Sequence, residues 1–220
     1  MPSPARTPLS RDRILAAAVE LADEHGVEAL TMRKLAEGLG FEAMSLYRHV
    51  ANKDDLLDGM LDVVIAEWEV PPAAGDWADA VRRSAVSVHD ALSRHRWAAK
   101  LLLAPGHLRP ARVRYMDALL GRLRGAGLSA DTTYVAYHVL DAHIFGFSLW
   151  ETSHTWTGDT EELVARLMRE VPWEELPHLA EHRDQHMADG PHREVRSFEF
   201  GLDLILAGLG GRALAGDTER

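Results

Sequence analysis

The chain has 220 residues, a formal net charge of −10 and no cysteine. At roughly 100–200 residues per domain, it holds one large domain or two small ones, and its 46% hydrophobic and 26% charged residues are typical of a globular protein. The missing cysteines exclude disulfides, a thiolate zinc site and a cysteine nucleophile, and the acidic balance argues at first against a nucleic-acid partner.

Apolar residues recur at helical spacing along almost the whole chain, which predicts an all-α fold. After a proline-rich arm, Ser10 can cap a first helix that Gly26 ends, and Thr31 can cap a second helix that stops at Gly40. The short segment EAMSLYRHV follows and predicts a third helix of about two turns. Asn52 then opens a fourth helix with an apolar period.

The segment VPPAAGD (70–76) breaks the helical pattern with two prolines and a glycine. We therefore expect an N-terminal domain over 1–70 and a C-terminal domain over 71–220. Further helices are predicted near 77–95, 97–104, 109–125, 129–155, 159–170 and 192–214, and the stretch 171–191 is polar and interrupted by prolines.

The second and third helices, joined by a tight turn at Gly40, have the spacing of a helix-turn-helix, whose second helix enters the major groove of DNA. A generic small helical bundle is the alternative on periodicity alone. The residue types favour DNA, because Arg48 can hold guanine bidentately and Ser45 can bond to base edges, while Lys53 suits a phosphate. The predicted DNA-contacting residues are Thr31, Arg33, Ala43, Met44, Ser45, Tyr47, Arg48, His49 and Lys53.

The net charge is distributed unevenly between the two halves of the chain. Residues 1–53 contain seven basic and seven acidic residues, so residues 54–220 carry the whole net charge of −10. The acidic balance therefore belongs to the C-terminal part, and non-specific affinity for DNA should be modest and sensitive to salt.

The run LTMRKLAEGLGFEAMSLYRHVANKDDLLDGM resembles the DNA-binding domain of the TetR family of transcriptional repressors, through Thr31, Leu35-Ala36, Gly40 and LYRHVANKDDLL (46–57). The resemblance implies an all-helical homodimer. Its N-terminal domain would bind a palindromic operator, and its C-terminal domain would bind a small molecule that releases the DNA. The C-terminal part is similar to the tetracycline-repressor branch in LSRHRWAAKLL (92–102), RGAGLS (124–129), the region of Gly146 and FEFGLDLILAGL (198–209).

Three positions depart from that branch, in which polar side chains serve a tetracycline–magnesium complex. Leu102 stands at the position of a histidine, Pro105 at that of a threonine and Trp150 at that of a glutamate. None of these three side chains offers an oxygen ligand to a hard divalent cation, so we expect that this protein does not sense magnesium–tetracycline and has no cofactor. A one-residue shift of the alignment would place Glu151 at the position of the glutamate.

An effector pocket is expected among the helices of the C-terminal domain, lined by apolar residues with a few polar groups. Ordinary core packing is the alternative for each of them. His138 and Asp141 are three residues apart and can form a polar pair on one helix face. The predicted ligand-binding residues are Leu102, Tyr115, Met116, Leu119, Tyr134, Tyr137, His138, Asp141 and Trp150.

The last predicted helix carries a wide apolar stripe, and its glycines allow another helix to approach. Together with the helix near 129–155 it is expected to form the four-helix dimer interface that the resemblance implies, although such a stripe can also pack within its own subunit. The predicted dimerisation residues are Phe198, Leu202, Ile205, Leu206 and Leu209.

A histidine series and the His/Asp clusters suggest the competing function, a metal-dependent hydrolase or a metal sensor. His178, His182 and His186 would share one face of a helix and could bind zinc with Glu181 or Asp184, but a solvated surface is the simpler interpretation. No GxSxG, HExxH, P-loop or dinucleotide motif is present. With neither a signal-peptide pattern nor an apolar run of about 18 residues, we expect a cytoplasmic regulator that is not an enzyme. Its expected partners are double-stranded DNA, a small-molecule effector and a second copy of the chain. No association with a membrane is expected.

Overall fold

The computed structural model describes residues 8–107, 109–153, 162, 165–166, 168–189 and 192–214, and this part is helical without strands. No described helix is long and apolar enough to cross a membrane. The N-terminal bundle consists of α1 (Arg11–His25), a 3₁₀ turn (Val27–Ala29), α2 (Met32–Leu39), α3 (Ala43–Leu46) and α4 (Lys53–Ile65). The C-terminal bundle consists of α5 (Trp77–Arg94), α6 (Arg96–Leu103), α7 (Pro110–Gly125), α8 (Ala130–Ser153), a 3₁₀ turn (Trp173–Glu175), α9 (Pro177–Asp189) and α10 (His192–Leu214).

The helix ends of the N-terminal bundle lie where the sequence predicts them. The side-chain oxygens of Ser10, Thr31 and Asn52 each accept a hydrogen bond from the backbone N–H three residues later, at 3.2, 3.2 and 2.8 Å. Such caps satisfy amide groups that have no partner inside the helix. Gly40 ends α2 in the left-handed region, at φ 73° and ψ 32°, a conformation that a residue without Cβ adopts at little cost.

Two elements differ from the sequence-based expectation. The third helix is a single turn rather than two, because after Leu46 the chain tightens into a turn. The amides of His49 and Val50 both bond to the carbonyl of Leu46, at 2.9 and 3.0 Å. The polar stretch for which no helix was predicted contains α9. Of the helix predicted near 159–170, the structure describes residues 162, 165–166 and 168–170, and these are helical.

The two bundles share one apolar core, which runs from α1 to α10. At their junction, Trp68 follows α4 and packs edge-on against Tyr115 of α7 and Phe145 of α8, with ring centroids 5.1 and 6.4 Å apart. The connecting segment is also held, because buried Arg122 of α7 donates to the carbonyls of Ala73, at 2.9 Å, and Gly75. The N-terminal bundle is therefore positioned by contacts as well as by chain connection.

Candidate functional site

The first candidate surface is the outer side of the helix-turn-helix formed by α2 and α3. Leu35, Ala36 and Leu46 are buried and fix the inner side of the motif. Met44, Tyr47 and Arg48 are exposed on α3 and the turn after it, and Lys53 is exposed at the start of α4. Ala43, Ser45 and His49 are half-buried between them. The structure therefore brings together most of the predicted DNA-contacting residues.

The predicted contact residues differ in how free their polar groups are. The hydroxyl oxygen of Thr31 accepts a hydrogen bond from the amide of Lys34 and so caps α2. Arg33 donates from Nε to Oε1 of Glu37 at 2.9 Å, which raises the pKa of the guanidinium, but an exposed pair of this kind is weak and a phosphate can replace it. Within the described part of the chain, the side chains of Arg48 and Lys53 have no ion pair or hydrogen bond.

Arg11 holds the N-terminal bundle together and is not available to DNA. Its guanidinium bonds to both carboxylate oxygens of Asp55, at 3.0 and 2.7 Å, and to the carbonyl of His49 at 2.9 Å. These bonds from Arg11, and a bond from the amide of Ala51, lower the pKa of Asp55 to about 2. The sequence spacing does not reveal this pairing, which joins α1 to the start of α4.

The second candidate site is a cluster of aromatic and polar side chains inside the C-terminal bundle. Tyr115 and Tyr137 are buried, and the hydroxyl of Tyr137 donates to Asp141 at 3.3 Å. Burial raises the pKa of both tyrosines to about 12, so both remain neutral phenols that can donate hydrogen bonds. Of the other predicted pocket residues, Leu102 and Leu119 are buried nearby in the same core, and Met116 is half-buried.

Arg112 is the member of this cluster that sequence analysis missed. It is buried, donates to the carbonyl of Leu102, and lies with its guanidinium carbon 4.8 Å from the ring centre of Phe145. Its Nη2 is 3.7 Å from Asp141. A signal was present in the sequence, because Arg112 shares the buried stripe of α7 with Tyr115 and the other residues of that face.

Three predicted pocket residues do not join the buried cluster. Tyr134, His138 and Trp150 are exposed on α8. The predicted His138–Asp141 pair does not form, because the imidazole Nδ1 turns back to the carbonyl of Tyr134 at 2.8 Å.

Glu151 faces inward instead of Trp150. Its Oε2 lies 3.1 Å from Nε2 of buried His89 and 3.4 Å from the hydroxyl of Ser93. Glu151 therefore faces the inside of the C-terminal bundle, as expected if the alignment with the tetracycline-repressor branch is shifted by one residue.

The predicted dimerisation stripe divides into two faces. Phe198, Leu202 and Leu206 are buried in the core of their own subunit, which is the alternative that the sequence left open. Ile205 and Leu209 are half-buried and line a groove of about 450 Å³ between α8 and α10. We call this the α8–α10 groove; its lining residues are Asp131, Thr132, Val135, Ala136, Val139, Leu204, Ile205, Gly208, Leu209 and Arg212.

The histidine series lies on α9, a helix as the zinc hypothesis requires. His178 and His182 are exposed there, and the side chain of His186 lies outside the described residues. The zinc hypothesis therefore stays untested by this structure.

A capped helix-turn-helix with free cations on its outer side, joined to a second helical bundle with polar groups in its core, defines a helix-turn-helix DNA-binding regulator. The family model described as "Bacterial regulatory proteins, tetR family" matches residues 14–60, and that described as "Tetracyclin repressor-like, C-terminal domain" matches residues 71–212. The chain belongs to the TetR family of transcriptional regulators, which are not enzymes.

Individual relatives cover the chain almost completely. The HTH-type transcriptional repressor DrrR1 of Streptomyces coeruleorubidus is 34% identical over 94% of this chain and 80% of its own. The class D tetracycline repressor protein of Escherichia coli is 31% identical over 94% and 96%. Among solved structures, ActR of Streptomyces coelicolor in complex with actinorhodin is 30% identical, covers 97% of this chain and 100% of its own, and has a TM-score of 0.72.

Proposed function

We propose that this protein is a homodimeric repressor that binds a palindromic operator and is released from it by a small, largely apolar effector. In this proposal residues 1–70 form the DNA-binding domain and residues 71–220 the effector-binding and dimerisation domain. The observation that carries the proposal is the pair of free cations, Arg48 and Lys53, beside exposed Met44 and Tyr47 on a capped helix-turn-helix. Free cations on a rigid short helix suit the contacts that fix and read duplex DNA.

The α8–α10 groove supports the homodimer. Apolar side chains on both walls are exposed in the single chain, among them Val135 and Val139 of α8 and Leu204 of α10. An exposed apolar surface of this kind marks a protein interaction site more often than free solvent contact. A second copy of the chain, packing its own groove there, would bring four helices together around a two-fold axis.

We infer that the effector is a planar compound with several aromatic rings. In support, the core cluster combines aromatic side chains with hydrogen-bond donors, namely Tyr115, Tyr137 and Arg112 beside Phe145. Aromatic side chains suit stacking on ring systems, and a few placed polar groups can fix the orientation of a ligand. Actinorhodin, bound by the similar protein ActR, is the first compound to test.

The residues of this chain do not fit a magnesium–tetracycline complex. Leu102 is buried, and its carbonyl is taken by Arg112. Trp150 faces outward, and Glu151 already accepts from His89 and Ser93. A hard cation requires oxygen ligands or ordered water held by polar groups. The carboxylate that these positions offer is that of Glu151, which is already hydrogen-bonded.

Selection from random-sequence duplex DNA tests the proposal directly. We expect the protein to enrich a palindromic sequence and to shift it in a gel in the presence of competitor DNA. Actinorhodin should reverse the shift, and magnesium with tetracycline should not. Failure to enrich any sequence would contradict the DNA-binding assignment, whereas release by magnesium–tetracycline alone would contradict the proposed effector class.

A further inference from the structure

Met44 is an apolar side chain on the outer side of the helix-turn-helix, beside polar and charged ones. It is 72% exposed, whereas Met60 in the core of the same bundle is completely buried. The cations Arg48 and Lys53 are exposed on the same side of the motif. An apolar side chain stabilises a fold by leaving water, so the fold of the single chain does not itself require a methionine at this position.

The short helix α3 holds Met44 in a fixed place. The amide of Ser45 donates to the carbonyl of Glu42 at 2.9 Å, and Leu46 is completely buried and anchors the helix on the core. Two residues of an α-helix correspond to a rotation of about 200°, so Met44 lies on the side of α3 that faces away from Leu46. Any molecule that approaches the outer side of the motif therefore meets this side chain.

The chemistry of a thioether limits what Met44 can recognise on duplex DNA. The side chain has no hydrogen-bond donor, and its sulfur is only a weak acceptor, so it cannot bond to a phosphate and pairs poorly with polar base edges. In the major groove, the C5 methyl group of thymine is the apolar group that distinguishes one base from the others. Contact with that methyl group removes apolar surface of both partners from water.

We propose that Met44 is a specificity-determining residue that contacts the C5 methyl group of one thymine in each half of the operator. The inference rests on the DNA-binding function proposed above and specifies one base of the sequence that is bound. Because two subunits related by a two-fold axis present the same residues to the two halves, the two thymines should occupy symmetric positions.

Replacement of thymine by uracil tests this contact, because uracil lacks the C5 methyl group and keeps every hydrogen-bonding group. On a duplex selected by the wild type, each thymine is replaced together with its symmetry mate, and affinity is measured at one salt concentration. Burial of one methyl group corresponds to about fourfold in affinity. We therefore expect replacement of the contacted pair to weaken binding about tenfold, and replacement of other pairs to have less than about a twofold effect.

Variants of the protein assign the methyl contact to Met44. Met44→Ala should lose most of the response to uracil, whereas Met44→Leu, which keeps an apolar side chain of similar size, should retain it. Val113→Ala is the matched control, since it removes an exposed apolar side chain of α7, and it should respond as the wild type does. Circular dichroism should show equal helix content in all these proteins, because each substitution is made at an exposed position.

A gain of a methyl group checks the same contact from the side of the DNA. Replacement of the contacted thymine by cytosine, with guanine opposite, removes the methyl group and changes the polar edge. Replacement by 5-methylcytosine changes the polar edge in the same way but keeps the methyl group. With both half-sites changed, the wild type should bind the 5-methylcytosine duplex about tenfold more tightly than the cytosine duplex. Met44→Ala should not distinguish the two.

Wild-type binding that does not respond to uracil at any thymine would overturn the inference. A response that Met44→Ala keeps would also overturn it, because another residue would then contact the methyl group, or Met44 would lie against the sugar–phosphate backbone. If no duplex can be selected, the proposed DNA-binding function itself fails. A selected duplex that does not respond to uracil leaves that function standing and refutes the role of Met44 alone.

Discussion

Arg48 and Lys53 are both free cations on the outer side of the helix-turn-helix, but their places suit different contacts. Arg48 follows α3, the short helix that would enter the major groove, whereas Lys53 opens α4 beside its N-terminal amides. We predict that Arg48→Ala costs about 1–3 kcal/mol of operator binding and relaxes base preference at one position. Lys53→Ala should weaken all sequences alike and lower the salt slope of binding by about one.

Titrations of the selected operator and of single-base variants, at several salt concentrations, measure both effects. Equal losses on every sequence from Arg48→Ala and Lys53→Ala would refute the division of roles.

Gly59 is the residue that permits the close contact between α4 and α1. A Cβ built on Gly59 would lie 2.6 Å from Cδ2 of Leu15, which is itself buried. Alanine normally stabilises a helix interior relative to glycine by up to about 1 kcal/mol, but here overpacking should reverse the sign and destabilise the fold by about 1–3 kcal/mol. Gly121→Ala in α7 is the matched control, because nothing lies within 4 Å of its added Cβ.

Chemical denaturation of the two variants checks this prediction. The Gly121→Ala protein should be as stable as the wild type or more stable. A Gly59→Ala protein that gains stability would show that α1 and α4 can separate without cost.

At the scale of elements, most helix ends were predictable because their signals are local. Ser10, Thr31 and Asn52 each cap a helix by accepting a hydrogen bond from the amide three residues later. Gly40 ends α2 because its backbone adopts the left-handed conformation. The length of α3 was not predictable in this way, since its last turn is set by Leu46 and Val50 reaching the core.

The candidate sites show the same difference between features with local signals and features set by distant contacts. The exposure of residues such as Arg48 was predictable, because residue type and motif position place them on the outer side of the helix-turn-helix; their contact with DNA stays a prediction. The roles of Arg11 and Arg112 were not predictable, because each forms an ion pair with a residue of another element, Arg11 with Asp55 and Arg112 with Asp141. Sequence spacing alone does not bring such residues together.

The Arg11–Asp55 pair makes the contact between α1 and α4 sensitive to acid. The pKa of Asp55 is lowered to about 2 in the folded protein and lies near 3.9 in an unfolded chain. The pair therefore stabilises the fold fully above the unfolded value, and its contribution disappears as pH falls through the folded value. Since the side chains of Arg11 and Asp55 are 39% and 34% exposed, solvent screening limits the contribution to about 1 kcal/mol at neutral pH.

Urea unfolding of the wild type and Asp55→Asn between about pH 2 and about pH 7 measures this contribution. The difference in unfolding free energy should be constant above about pH 5 and vanish near pH 2. A difference that persists unchanged at the acid end would mean that Asp55 acts through something other than its charge.

At the scale of the whole molecule, charge and dimer geometry act together. The net charge of −10 lies entirely in residues 54–220, and within the first 53 residues Arg11 and Arg33 are paired with Asp55 and Glu37. Among the described residues of this segment few cations remain unpaired, so one N-terminal bundle alone should bind DNA weakly. Two bundles held at a fixed separation add their contacts, because the second binds as an intramolecular step.

If the proposed dimer forms through the α8–α10 groove, that contact should be a condition for operator affinity. We predict that Val139→Asp abolishes the dimer, because it would place an unpaired charge in an apolar interface. The side chain is 44% exposed in the single chain, so the subunit itself should still fold. Val113 of α7 has the same exposure and does not line the groove, which makes Val113→Asp the matched control.

Light scattering after gel filtration should report a monomer for Val139→Asp and a dimer for Val113→Asp, with equal helix content by circular dichroism. Operator affinity should fall at least about tenfold for the first variant and remain unchanged for the second, since a monomer loses the intramolecular second contact. A dimeric Val139→Asp protein with normal affinity would place the subunit interface elsewhere on the molecule. A monomer that still binds the operator tightly would show that one bundle suffices, against the charge argument above.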